Sequence, residues 1–163
     1  MEDNIMNSLI LLYSYHHNNT EKIANVFSMV LDAPIKKTED VNPEELNEYD
    51  LVGFGSGIYS DKHHPSMLEF VDRLPMRSGK KAFLFSTAGM SSKAKTTTDH
   101  SHIRKKLEHK GYTVIWEFQC AGFNTNSFLK YLGGMNKGRP NAKDLQEAEA
   151  FAQNLKQDLQ QDK

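Results

Sequence analysis

The chain has little cysteine, no long apolar run and no excess of either charge. Its one thiol, Cys120, leaves no internal disulfide framework and fits a reducing compartment. No stretch approaches the roughly 20 consecutive apolar residues that a membrane-spanning helix needs. SLILLYSY, from Ser8 to Tyr15, is too short for that and lacks the basic flank and small-residue cleavage site of a secretory signal. It reads as a buried strand in a cytoplasmic protein. Formal net charge is −1, from 20 basic and 21 acidic residues, so no basic excess suggests a nucleic-acid partner. Repeats, linkers and low-complexity segments are also missing. The length, 163 residues, fits one domain over 1–163 that buries a core without disulfides or metal. Its last residues, about 157–163, read as a frayed tail.

What is present is an alternation of short apolar runs and amphipathic stripes. Ser8 to Tyr13 is apolar enough for a strand covered on both faces. Ile23, Val26, Phe27, Val30 and Leu31 then recur at helical spacing. Ala33 to Lys37 reads as a short edge strand carrying two lysines. Asn42 and Pro43 read as the cap and first residue of a short helix. YDLVGFGSG gives a second buried strand, ending at Gly55, and Pro65 opens a helix whose inner face holds Met67, Phe70, Val71 and Leu74. KKAFLFS gives a third buried strand. A further helix is predicted from Asp99, as its N-cap, to a stop at Gly111. From Tyr112 to Cys120 the pattern has period two, with Val114, Trp116, Phe118 and Cys120 on a dry face, which suits an edge strand. The last helix spans about Asn141 to Leu159. Together these elements predict an α/β three-layer sandwich around a five-stranded parallel sheet of order 2-1-3-4-5, the order that puts the two amphipathic strands at the edges.

In such sheets a ligand sits at the carboxyl ends of the strands where the order reverses. Three loops converge there. Ser14 to Thr20 is polar and leads directly into a helix, whose unpaired N–H groups and dipole suit a phosphate. It contains no lysine or arginine, so an anion would be held largely by neutral dipoles, and an ordinary capped strand–helix loop would read the same way. The second loop carries Gly53, Gly55 and Gly57 at alternate positions. This is not the G-x-G-x-x-G dinucleotide fingerprint. Glycine there would let backbone approach a flat ligand or take positive φ. Tyr59 is either a stacking partner for a ring or a half-exposed surface aromatic. The third loop opens on the small residues STAGM, whose backbone N–H groups can reach a planar heterocycle.

YSYHHNNTEKIA resembles the phosphate-binding loop of the flavodoxin family, which usually reads T-G-N-T before its helix. Asn19, Thr20 and Glu21 match that ending, and His17 and Asn18 replace Thr-Gly. DLVGFGSGIYSDKHHP, AFLFSTAG and GGMNKGRPNAKDLQEAEAFAQNL also resemble short flavodoxin-like proteins, so that the similarity covers nearly the whole chain. The resemblance implies a non-covalently bound flavin mononucleotide (FMN). Its phosphate would lie on Ser14, Tyr15, His16, His17, Asn18, Asn19 and Thr20. Its isoalloxazine would lie between Ser56, Gly57, Ile58, Tyr59 and Ser60 on one side and Ser86, Thr87, Ala88, Gly89 and Met90 on the other. Gly57 would be near the ring's N5 atom.

The function implied is that of an electron carrier, moving one or two electrons between redox partner proteins. Electron-carrying flavodoxins are typically strongly acidic, and this chain is nearly neutral. The alternative is an FMN-dependent reductase that uses NAD(P)H on a small substrate such as a quinone, with 121–139 as a substrate loop holding Phe123, Phe128 and Tyr131. Lys62, His63 and His64 either tune a flavin by positive charge or form a solvated turn in which His64 caps a helix. His16, His17, His63 and His64 come from neighbouring loops, but adjacent loop residues rarely point the same way, so no metal site is expected. Cys120 reads as buried and structural, since nothing basic adjoins it in sequence. A receiver domain would need acidic residues after the first strand and a low-molecular-weight phosphatase a cysteine in the phosphate loop; both are missing.

Overall fold

The computed structural model describes residues 6–14, 18–122 and 136–162. Its strands are β1 (Ser8–Tyr13), β2 (Ile35–Lys37), β3 (Leu51–Tyr59), β4 (Lys62–His63), β5 (Lys80–Ala88) and β6 (Tyr112–Ala121). Its helices are α1 (Asn19–Leu31), α2 (Pro65–Asp72), α3 (Lys93–Asp99), α4 (Ser101–His109) and α5 (Ala142–Gln161). Five strands pair in parallel in the order β2-β1-β3-β5-β6. With the two-residue β4 set aside, that is the expected order 2-1-3-4-5, and β2 and β6 are the edges.

Side chains alternate along β1, so its apolar run feeds two cores. Leu9 and Leu11 join Phe54, Leu84 and the inner faces of α2 and α4, including Phe70 and Ile103. Ile10 and Leu12 join Phe83, Phe85 and the inner faces of α1 and α5, including Phe27 and Ala152. Phe27 is the hub of the second core, edge-on to Phe85 at 5.1 Å and to Phe118 at 5.6 Å between ring centroids.

The predicted short helix at Asn42 is a 3-10 turn, Pro43–Glu48, closed by a reciprocal capping box between Asn42 and Glu45. The last helix is likewise capped by a box, between Asn141 and Asp144, and it continues to Gln161 through most of the stretch expected to fray. Leu159 anchors that end in the second core.

Four expectations are corrected. Gly53 and Gly55 do not open the backbone to a ligand. They lie opposite Phe83 and Phe85 in the sheet register, and a Cβ on them would sit 2.2 and 2.1 Å from those rings. β3 does not end at Gly55; it runs to Tyr59 and turns back through Ser60 and Asp61, both at positive φ (51° and 59°), into β4. Positive φ at both central residues is the twist-matched two-residue hairpin. Asp99 does not cap a helix; it ends α3, which starts at a Ser92 cap whose Oγ accepts from the Lys95 N–H at 3.1 Å. Finally, an irregularity in the β5–β6 ladder skips Ile115, so Val114 packs on the α4 side while Trp116, Phe118 and Cys120 face α5.

Candidate functional site

The first loop is described at its two ends, Ser14 and 18–20. β1 ends at Tyr13, and Ser14 follows with a buried Oγ that makes no hydrogen bond among the described residues. Asn18 bends the chain at φ 52° and opens α1 without a side-chain capping bond. The first-turn N–H groups of α1 therefore have no side chain from their own cap on them, and the helix dipole adds to the pull on an anion. Asn19 and Thr20 are buried in that first turn. Tyr15, His16 and His17 lie outside the described residues.

The first and third loops are tied together. Thr20 Oγ1 and Thr87 Oγ1 lie 2.9 Å apart, both buried, and so join α1 to the end of β5. Gly122 at the end of β6 donates its N–H to Ala88 O at 2.9 Å, and it comes so close to α1 that a Cβ would meet Asn19 Nδ2 at 2.7 Å. Asn136, at φ 58°, donates from Nδ2 to Gly89 O at 2.6 Å and to Gly122 O at 3.3 Å. Neither Gly122 nor Asn136 stood out in the sequence. Their signals were an Asn-Lys-Gly turn, where Asn tolerates positive φ, and a glycine at a strand end. Met90, beyond Gly89, is 70% exposed.

The second loop is the β3–β4 hairpin. Gly57 is still in register with Thr87 across β3–β5, and Ile58 pairs with His63. Ser56 is fully buried; its Oγ donates to Gly57 O at 2.8 Å and accepts from the His64 N–H at 3.0 Å. Tyr59 is half-buried with its ring edge-on to His64 at 4.8 Å, while His64 stacks on Tyr13 at 4.0 Å. His64 Nδ1 also accepts from the Ser66 N–H at 3.1 Å, so the capping role is the one it takes.

Beneath the second and third loops lies a polar network that sequence reasoning missed. His63 is fully buried, with Nε2 3.2 Å from Phe85 O, so that this nitrogen donates. Burial, with the nearby His100, pushes its pKa down to about 3 against the pull of the Phe85 and Asp99 backbone. It is neutral at ordinary pH and supplies no charge to a ligand, which removes it from the tuning set with Lys62. His100, also fully buried, has Nδ1 3.3 Å from Glu117 Oε1 and Nε2 2.7 Å from Ser86 Oγ. Glu117 Oε1 accepts from the Nδ1–H, so Nε2 accepts from the Ser86 hydroxyl. Gln119 Nε2 donates to Ser86 Oγ at 3.1 Å and to Asp99 Oδ2 at 2.9 Å, and Lys95 closes on the other Asp99 oxygen. Burial would raise the Glu117 carboxyl, but hydrogen bonds from His100 and Arg104 hold it below its usual range. Ser86, expected beside a ring, is thus committed to this network. Ser, His and Glu in this sequence resemble a hydrolytic triad, but Ser86 is fully buried and has no room for a substrate.

Beside the third loop is a cavity of about 440 Å³, lined by Met90, Cys120, Asn136, Arg139 and Asp144 among others. Cys120 is buried, and burial, with the Asp144 charge, pushes its thiol up to about 12. It is no nucleophile at neutral pH. Arg139 donates to both Asp144 oxygens and, against the effect of burial, holds that carboxyl below its usual range. No group of three or more metal-ligating side chains occurs among the described residues. No helix among them is long and apolar enough to cross a membrane.

A parallel sheet of this order, wound on both faces by helices, defines the class: a flavodoxin-like α/β protein. The chain belongs to the flavodoxin domain family, whose pattern it matches over residues 10–124. It is 43% identical over 150 residues to an uncharacterized protein of Methanocaldococcus jannaschii, covering 92% of this chain and 98% of that one. Among solved structures it is similar to a flavodoxin from the domain Archaea, with TM-score 0.65 and 19% identity over 95% of this chain and 99% of that one. Oxidised flavodoxin 2 from Bacillus cereus gives TM-score 0.64 and 20% identity over 90% and 94% of the two chains.

Proposed function

We propose that the chain binds FMN and carries one or two electrons between redox partner proteins. The observation that carries this reading is the start of α1: first-turn N–H groups with no side-chain cap, beside a buried Ser14 hydroxyl that makes no hydrogen bond among the described residues. Members of this family typically bind flavin, and these residues fit the phosphate of one. Ser14, Asn18, Asn19 and Thr20, with Tyr15, His16 and His17, hold the phosphate. Ser56 to Ser60 and Thr87 to Met90 would flank the ring, with the Ser86 hydroxyl held in the buried network next to them. When bound, FMN supplies the redox chemistry. The chain's own contribution is to position it, exclude water from one face and set the local charge. Rigidity comes from the Thr20–Thr87 contact, the Asn136 bridge and the paired hairpin.

Lys62 sets part of that charge. It sits in β4, directly after the hairpin turn, and no carboxylate pairs with it among the described residues. A cation favours the reduced, more negative flavin, so Lys62→Gln lowers the midpoint potential by on the order of tens of millivolts. Spectroelectrochemistry reads this directly, and an unchanged potential contradicts it. His63→Gln, by contrast, leaves the electrostatic contribution to the potential near neutral pH unaltered, because His63 is uncharged there.

The cavity beside Met90 and Cys120 favours a second reading, an FMN-dependent reductase that takes NAD(P)H and a small substrate such as a quinone. Stopped-flow mixing separates the two. Rapid reduction by NADH or NADPH alone supports the enzyme, and reduction only through an added flavoprotein reductase supports the carrier.

A further inference from the structure

The near-neutral total hides a segregated charge. Between residues 73 and 110 there are ten lysines and arginines but only two carboxylates, Asp99 and Glu108, which leaves ten cations and nineteen acids in the rest of the chain. That segment includes α3 and α4, directly after the loop that ends at Met90. Some of its cations are neutralised: Lys95 by Asp61 and Asp99, Arg104 by Glu117, Lys106 by Asp72. Lys93 and Lys105 are exposed and meet no carboxylate among the described residues, and Lys105 lies with His102 and His109 on the outer stripe of α4. Between α3 and the edge strand β6 runs an open groove of about 580 Å³. On its α3 wall the hydroxyl protons of Ser91, Thr96 and Thr97 are spent on carbonyls, which leaves the Ser92 hydroxyl and the Lys93 ammonium as donors facing the groove. Its other wall is β6, with Trp116, and the one carboxylate there, Glu117, is held by Arg104 and His100. As an edge strand, β6 presents a row of backbone groups without a neighbouring strand among the described residues.

We propose that this groove and the adjoining basic face of α3 and α4 form the docking surface for an acidic segment of a protein partner. Carboxylates of that segment meet Lys93, Lys105 and the Ser92 hydroxyl, while its backbone lies along the open edge of β6, the mode in which main-chain bonds give affinity and side-chain contacts give specificity. Docking there places the partner against the loop that carries the exposed Met90. That the partner is a redox protein rests on the electron-carrier reading; the charge match does not.

The test titrates the purified protein, with and without added FMN, against poly-L-glutamate at low salt. Trp116 is the only tryptophan and lines the groove, so its fluorescence reports occupancy. The expected result is saturable binding that weakens with salt, a Trp116 response, and amide shifts confined to α3, α4 and β6. Lys93→Glu with Lys105→Glu weakens binding about tenfold, while Lys143→Glu with Lys156→Glu on α5 leaves it within about twofold. Equal binding by the first pair, shifts elsewhere, or tighter binding at equal salt to a short DNA duplex or to phosphatidylglycerol vesicles overturns the proposal. Failure of the flavin reading shows separately, as a protein that takes up no FMN yet still binds the polyanion.

Discussion

Acidification from pH 7 to pH 4 costs about 3 kcal/mol of folding stability through His63 alone. The sign follows from the direction of the shift. The His63 pKa is lowered from 6.5 to about 3 in the folded chain, so the unfolded chain binds its proton first. The stabilisation is complete above the unfolded value and is lost progressively as pH falls from about 6.5 toward about 3. Each unit across that window is worth roughly 1.4 kcal/mol, and full burial leaves little solvent screening to discount. Glu117 and Asp144, both held below their usual range by paired cations, add their own losses, but only at lower pH where carboxylates begin to protonate. Chemical denaturation at a series of pH values separates the two. His63→Gln keeps a donor for Phe85 O and has no proton to gain. The variant should therefore lose the part of the slope between pH 6.5 and 5 and keep the acid limb below it. A variant with the same slope as the parent chain removes His63 from the account.

Gly55→Ala should destabilise the fold by about 2–3 kcal/mol, near the top of the usual range for overpacking a core. The new methyl would sit 2.1 Å from the Phe85 ring, and that ring is edge-on to Phe27 at 5.1 Å, so it has no free space to move into. Gly53→Ala meets Phe83 in the same way at 2.2 Å. The two positions are one device used twice: glycine on β3 opposite phenylalanine on β5, each ring lying over its glycine. Shrinking the ring should rescue the glycine variant. In a double-mutant cycle, Gly55→Ala with Phe85→Leu is expected to lose less than the two single changes added together. Additive losses would mean that the ring had another way out.

The sheet order was legible because burial on two faces writes itself as unbroken apolar runs, and partial burial as alternation. Ser8–Tyr13 and Lys80–Ala88 carried the first signal and Tyr112–Cys120 the second. The caps at Asn42 and His64 were legible because the chemistry is local. The α3 helix was hidden by Thr96, Thr97 and Thr98, poor helix formers that here turn their hydroxyls back onto carbonyls four residues earlier. The hairpin at Ser60–Asp61 was hidden because neither residue is the asparagine–glycine pair that announces such a turn. The glycines of β3 were misread since a glycine left bare for a ring from the next strand looks the same, in one dimension, as a glycine left bare for a ligand. The uncapped start of α1 after β1 was legible from the polarity and position of its loop. The buried network was not, since His63, Ser86, His100, Glu117 and Gln119 come from four elements and only the packing of α3 and α4 on the sheet brings them together.

The central claim is that the start of α1 grips the phosphate of FMN. Isothermal titration of the flavin-free protein with FMN, with riboflavin in parallel, tests it most directly. Saturable one-to-one heat is expected for FMN and binding at least about a hundredfold weaker for riboflavin, since several charge-assisted hydrogen bonds at about 1.5–3 kcal/mol each are lost with the phosphate. Equal affinity for the two, or no heat with either, contradicts it.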